Sequence, residues 1–187
     1  MTPQIISFMW AGLGVYWAVS ARFAKPAAWQ QSTRSRAAAL AILGAGFTLL
    51  FYSSTHVGAL AQRLTVDTSL TRATAFLLSA AGLTFAVWAR SQLGRNWSGA
   101  ATLKHDHDLV ARGPYRVVRH PIYAGGIVAA FGTALSMGDV GAFAGAALVT
   151  VAWLAKIRVE ESMLVSAFGE RYIAYTRDVP TLIPFLL

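Results

Sequence analysis

The chain predicts an all-α integral membrane protein with five transmembrane helices, the last two paired as a hairpin and capped by two polar segments. Three observations carry this. Hydrophobic residues fill 56% of the 187 positions and charged residues only 13%, against about 25% charged in soluble domains. Charge is confined to short segments between long uncharged runs. The net charge of +8 falls mainly on alternate connections, as membrane topology requires. Mean hydropathy is +0.50. Such a composition excludes intrinsic disorder. The absence of cysteine excludes disulfide frameworks, thiolate metal sites and cysteine nucleophiles. The length suits a single domain over 1–187, with three helices in 1–89 and the hairpin half in 90–187.

Residues 3–21, 37–62, 73–89, 120–138 and 140–155 contain no Asp, Glu, Lys or Arg. A membrane-crossing helix needs roughly 17–25 apolar residues. The first four runs satisfy this, and the fifth is extended by Lys156 and Arg158, which can snorkel. Run 3–21 lacks a basic leader segment and holds Trp10, Tyr16 and Trp17, so it is expected to stay as a helix. Met137-Gly138-Asp139 alone separates the last two runs, which must then be antiparallel. Gly125, Gly126, Gly132, Gly141 and Gly145 permit close packing there. With the chain crossing five times, every Lys and Arg except Arg63 and Arg72 lies on one side. The positive-inside rule places the N-terminus outside and the C-terminus in the cytoplasm. Topology and anionic lipid account for the basic segments, so nucleic acid is not the expected partner.

Polar residues concentrate in 91–123 and 156–184, which flank the hairpin and return to the same side. In the first, Pro121 suits the opening turn of a helix. The N–H groups of such a helix start, with Arg119 and His120, offer donors to a carboxylate or phosphate. Tyr115 and Tyr123 offer faces to a base or a cation. The plainer alternative is an interfacial belt of anchoring Arg, Tyr and His. In the second, Lys156 and Glu160 are four apart and Arg158 and Glu161 three apart, so ion pairs at the membrane surface would explain them. Glu160 and Glu161 point about 100° apart, so at most one is expected to face a given pocket. His105 and His107 have only Asp106 and Asp108 beside them, and a closed metal site is not expected. His56, near the end of the second run, is expected to pack rather than to bind.

Taken in order, His107-Asp108-Leu109-Val110, Gly113-Pro114-Tyr115 and Arg119-His120-Pro121-Ile122-Tyr123 followed by Gly125 resemble the cofactor region of the isoprenylcysteine carboxyl methyltransferase family. That family consists of integral-membrane enzymes related in motif to phospholipid methyltransferases. Glu160-Glu161, Leu164, Phe168-Gly169, Tyr172, Tyr175, Val179-Pro180 and Pro184-Phe185 resemble its C-terminal signature. The resemblance covers about half the chain. It implies S-adenosylmethionine as methyl donor, bound on the cytoplasmic side, with S-adenosylhomocysteine as product. By position it implies cofactor contacts from His107, Asp108, Leu109, Val110, Tyr115, His120, Pro121, Ile122, Tyr123 and Glu160, to which the helix-start argument adds Arg119. A substrate-contacting basic position reads Lys156, with Arg158 nearby. A carboxylate acceptor needs no base, whereas an amine or hydroxyl acceptor needs one, and Glu161 or His120 is the candidate. The expected acceptor is lipophilic and enters sideways from the bilayer. A non-enzymatic membrane protein binding a lipid or small ligand on the same scaffold is the alternative.

Overall fold

A computed structural model describes residues 2–23, 27–30, 33–56, 58–94, 97, 102–104 and 109–184, with the backbone alone for 27–30, 33–35, 53–56 and 102–104. His105, Asp106, His107, Asp108 and Phe185 lie outside the described residues, as does the side chain of His56.

Helices carry the fold. They are α1 (Thr2–Ala21), α2 (Thr33–His56), α3 (Ser69–Leu93), α4 (Pro121–Met137), α5 (Val140–Phe168) and α6 (Glu170–Asp178). One small ribbon is added to the expected all-α picture: β1 (Ala27–Gln30) pairs antiparallel with β2 (Thr102–Lys104). Among the described residues, α1, α3 and α5 are long and apolar enough to cross a membrane, while Arg36–Tyr52 and Pro121–Met137 are shorter apolar stretches.

Local chemistry sets the ends. Thr68 Oγ1 caps α3 by accepting from the Thr71 N–H at 3.1 Å. Pro121 opens α4, where its missing N–H costs no helical bond. Gly138, at φ +80°, lets α4 stop in a left-handed turn, its N–H donating to the Ala134 carbonyl at 2.8 Å. The next residue, Asp139, accepts from the Ala142 N–H at 2.8 Å and starts α5. Two residues therefore reverse the chain, as the sequence led us to expect. The fifth uncharged run ends at 155, but its helix continues to Phe168. Charge ended the hydropathy run without ending the helix, because Lys, Arg and Glu are good helix formers.

The α4–α5 hairpin is flanked by α3 along α4 and by α2 along α5, with α1 against α3 and α4. The glycines of the hairpin serve these neighbours. A Cβ on Gly82 of α3 would collide with backbone at Gly125 and Ala129, and one on Gly145 of α5 would meet backbone at Gly46 and Leu50. Without a hydrophobic force between helices in lipid, such close backbone approach supplies the packing. The core formed there is Leu50, Ala130, Ala134, Ala142, Ala146 and Val149.

Candidate active site

The polar segments converge at one end of the bundle. Arg119, just before α4, sits against the last residues of the chain. Its backbone N–H donates to the Pro180 carbonyl at 2.8 Å and that of His120 to Thr181 at 3.1 Å. The Arg119 guanidinium donates from Nε to Glu161 Oε1 at 2.8 Å. It also donates to the carbonyls of Thr176 at 3.2 Å and Val179 at 2.6 Å, and to Thr181 Oγ1 at 2.7 Å. Four of its five N–H groups are thus committed to α5 and the C-terminal segment. Arg119 was expected to offer donors to a ligand carboxylate; in the fold these bonds hold the C-terminal segment like a clamp, and Arg119 also borders a cavity.

The two glutamates divide as their 100° offset requires. Glu160 lines a cavity, whereas Glu161 is not among the lining residues described. Glu160 Oε1 accepts from the Tyr123 hydroxyl at 2.6 Å, a short charge-assisted bond. His120 Nδ1 lies 3.7 Å from Glu160 Oε2, and Lys156 Nζ 3.7 Å from Glu160 Oε1. Glu161 Oε1 faces Arg119, His120 Nε2 at 3.2 Å and the Tyr172 hydroxyl at 3.5 Å. It holds groups that border the cavity, Arg119, His120 and Tyr172, and is the residue expected as a base. Arg158, expected as a nearby substitute for Lys156, is exposed and is not among the lining residues described. Pro121 is buried, opens α4 and is not among the lining residues described.

Leu109, Val110, Tyr115, Arg119, His120, Ile122, Tyr123, Lys156 and Glu160 all border one cavity of about 860 Å³. Tyr172 and Tyr175 join them, and the Tyr175 hydroxyl donates to the Tyr115 carbonyl. Burial holds the Tyr115 and Tyr172 hydroxyls well above the ordinary tyrosine range, with Glu160 and Glu161 respectively adding to it. Burial pushes Tyr175 up to about 12. All three therefore keep their protons near neutrality.

The cavity continues away from these polar groups. Its other walls are rings: Trp153 lies 6.0 Å from Tyr123 and 6.4 Å from Phe47, centroid to centroid, and Phe47 meets Trp10 edge-on at 5.2 Å. Gly126 makes room for Trp153, since a Cβ there would strike the indole. Near the polar end, Trp17 packs edge-on against Trp97, and the buried Arg90 stacks on Trp97 at 4.3 Å. Arg90 also donates to the Ser20 and Gly94 carbonyls, tying α1 to the end of α3. These residues were not picked out as site residues from sequence. The one available signal was spacing: Trp153 and Glu160, like Trp10 and Trp17, are seven apart and share a helix face.

A polar cluster at helix ends, opening into an aromatic cavity among apolar helices, marks an integral membrane protein with a candidate internal small-molecule site. The profile of the phospholipid methyltransferase family matches residues 70–171, and the chain belongs to that family. The relatives agree with the resemblance drawn from the motifs. Over 98 residues the chain is 37% identical to the protein-S-isoprenylcysteine O-methyltransferase of Schizosaccharomyces pombe, covering 51% of this chain and 42% of the relative. Over 72 residues it is 39% identical to the methanethiol S-methyltransferase of Crocosphaera subtropica, covering 38% and 28%. A solved structure of the eukaryotic intramembrane Ras methyltransferase, isoprenylcysteine carboxyl methyltransferase, aligns over 84% of this chain and 55% of that one, with 25% identity and a TM-score of 0.48. The chain spans about half the length, or less, of these curated relatives.

Proposed function

We propose that the protein is an S-adenosylmethionine-dependent methyltransferase of the membrane, acting on a lipophilic acceptor, with O-methylation of a carboxylate favoured. The observation that carries this is the single cavity with a polar pole at His120, Tyr123, Lys156 and Glu160 and an aromatic arm reaching Trp10 and Phe47. A methyl donor and a greasy acceptor need two such chemically distinct ends meeting at one place.

The residues present fit the donor. Glu160 suits its ammonium. The first-turn N–H groups of α4, at Ile122 and Tyr123, lack helical acceptors and suit its carboxylate. The rings of Tyr115 and Tyr123 suit the adenine and the sulfonium cation, and the backbone at Leu109 and Val110 suits the adenine edge. His107 and Asp108 remain assigned to the donor by the resemblance alone. When bound, S-adenosylmethionine supplies an electrophilic methyl group. The chain's own work is alignment and exclusion of water. Lys156, with Nζ 5.6 Å over the Tyr123 ring, is placed to hold an acceptor carboxylate at the boundary between the two ends. Glu161 acts behind His120 and Arg119 as a positioning residue. Tyr123 fixes the carboxylate of Glu160.

The acceptor is isoprenylcysteine-like or another lipid-like molecule, drawn from the bilayer. The aromatic arm reaching Trp10 and Phe47 extends beyond the polar pole that would hold the donor, which favours a large acceptor over a one-carbon thiol like that of the Crocosphaera relative. All five apolar helices cross the bilayer in this reading, and the basic connections put the polar pole on the cytoplasmic side. The experiment is transfer of labelled methyl from S-adenosylmethionine by the protein in nanodiscs. An S-farnesylated cysteine derivative is expected to be methylated on its carboxylate, and its water-soluble, non-prenylated counterpart poorly. Equal turnover of both would contradict a lipophilic acceptor site.

A further inference from the structure

The aromatic arm is built largely by α1 and α2, which lie outside the matched span 70–171. Each presents one face to it: Trp10 and Trp17 from α1, and Leu43, Phe47 and Phe51 from α2. α1 packs mainly on α3 and α2 mainly on α5, both also touching α4, and the Trp10–Phe47 ring pair at 5.2 Å bridges between them. The Trp10 indole is also fixed from the side. Its Nε1–H donates to Thr133 Oγ1 at 2.9 Å, and that hydroxyl donates to the Ala129 carbonyl at 2.7 Å. Thr133 is fully buried. It lies ten residues along α4 from Tyr123, or about 15 Å at 1.5 Å per residue.

We propose that Trp10, pinned by Thr133 and Phe47 and followed along the arm by Ser7 and Phe51, is the restricting ring of the acceptor arm and sets how long a hydrocarbon chain the site accepts. This rests on the acceptor reading given above. An indole held by a hydrogen bond and an edge-on ring cannot swing aside as an unanchored side chain does. A chain that runs down the arm past Trp10 therefore displaces packed rings, at the price of overpacking. The specificity of the enzyme then resides in α1 and α2, while its chemistry resides in α4 and α5.

The test uses straight-chain fatty acids from decanoate to stearate as probes, displacing a fluorescent fatty acid from the protein in nanodiscs. Wild type is compared with Trp10→Ala, Thr133→Val and Phe8→Ala, the last on the exposed side of α1. For each probe the variant-to-wild-type affinity ratio is taken, so that partitioning into the bilayer cancels. Trp10→Ala is expected to give a ratio near one for the shortest acid, rising to at least about fivefold for the longest, the lower end of an overpacking penalty. Thr133→Val is expected to show a smaller rise at the same chain length, and Phe8→Ala none. A flat ratio across the series for both Trp10→Ala and Thr133→Val overturns the proposal. S-adenosylhomocysteine binding, measured on the same preparations, reports separately on the polar pole and on folding.

Discussion

Replacing Arg119 by lysine separates two roles that the sequence left merged. Lysine keeps the charge beside Glu161 but loses the planar fork. Three donor bonds, to Thr176, Val179 and Thr181, then have no equivalent. A hydrogen bond from a charged group contributes about 1.5–3 kcal/mol, and water replaces part of the loss. A net weakening of about 3 kcal/mol in the docking of the C-terminal segment is the expected scale, or roughly 150-fold in its local opening constant. Hydrogen exchange reads this directly, because the amides of Arg119 and His120 donate to Pro180 and Thr181. Arg119→Lys should speed exchange at those two amides while α3 and the middle of α4 stay protected. Unchanged protection, together with a fall in S-adenosylhomocysteine affinity, would refute the clamp and restore Arg119 as a ligand.

Other substitutions probe the remaining parts. Tyr123→Phe removes the 2.6 Å bond to Glu160 and should weaken S-adenosylhomocysteine by about tenfold, roughly 1.4 kcal/mol, as measured by calorimetry. Lys156→Met should raise KM for a carboxylate acceptor with little change in kcat, and Lys156→Arg should largely preserve both, which steady-state kinetics would show. Gly82→Ala puts a methyl into the backbone of α4 and should cost about 1–3 kcal/mol, seen as a lower Tm. Gly44→Ala, with open space around it, should be neutral or slightly stabilising. Tyr175 keeps its proton up to about 12 because it is buried, above its ordinary value near 10. The folded state therefore holds that proton more tightly than the unfolded chain. This contribution is complete below pH 10 and is lost as pH rises toward about 12. Tyr175→Phe should flatten that alkaline limb in a thermal melt while lowering Tm at neutral pH.

Much of the frame was legible because lipid imposes one rule, that uncharged runs become helices. The start of α4 at Pro121 and the Gly138-Asp139 reversal follow from local chemistry, and both were readable. The full length of α5 was not, since hydropathy falls at Lys156 while helix propensity does not. The split between Glu160 and Glu161 was anticipated as geometry, and the resemblance named Glu160 as the cofactor contact, but the spacing alone could not choose because that depends on the roll of α5 against α2 and α4. Arg119 read as a ligand because its partners, the carbonyls of Thr176 and Val179, are backbone groups that every residue carries. The glycines of α4 and α5 were visible, but their partners on α3 and α2 were not, because spacing names a face and not its neighbour. Trp10 and Phe47 stayed hidden for a similar reason: an aromatic residue in an apolar run looks the same whether it faces lipid or a cavity.

The most direct measurement of the central claim is S-adenosylhomocysteine binding by calorimetry to the purified protein in nanodiscs, for wild type, Glu160→Ala and Phe8→Ala. Saturable one-to-one binding by wild type and Phe8→Ala, abolished or weakened at least about tenfold by Glu160→Ala, is the result predicted by a donor site at the polar pole. Absence of binding by folded wild type, or equal binding by Glu160→Ala, would contradict it.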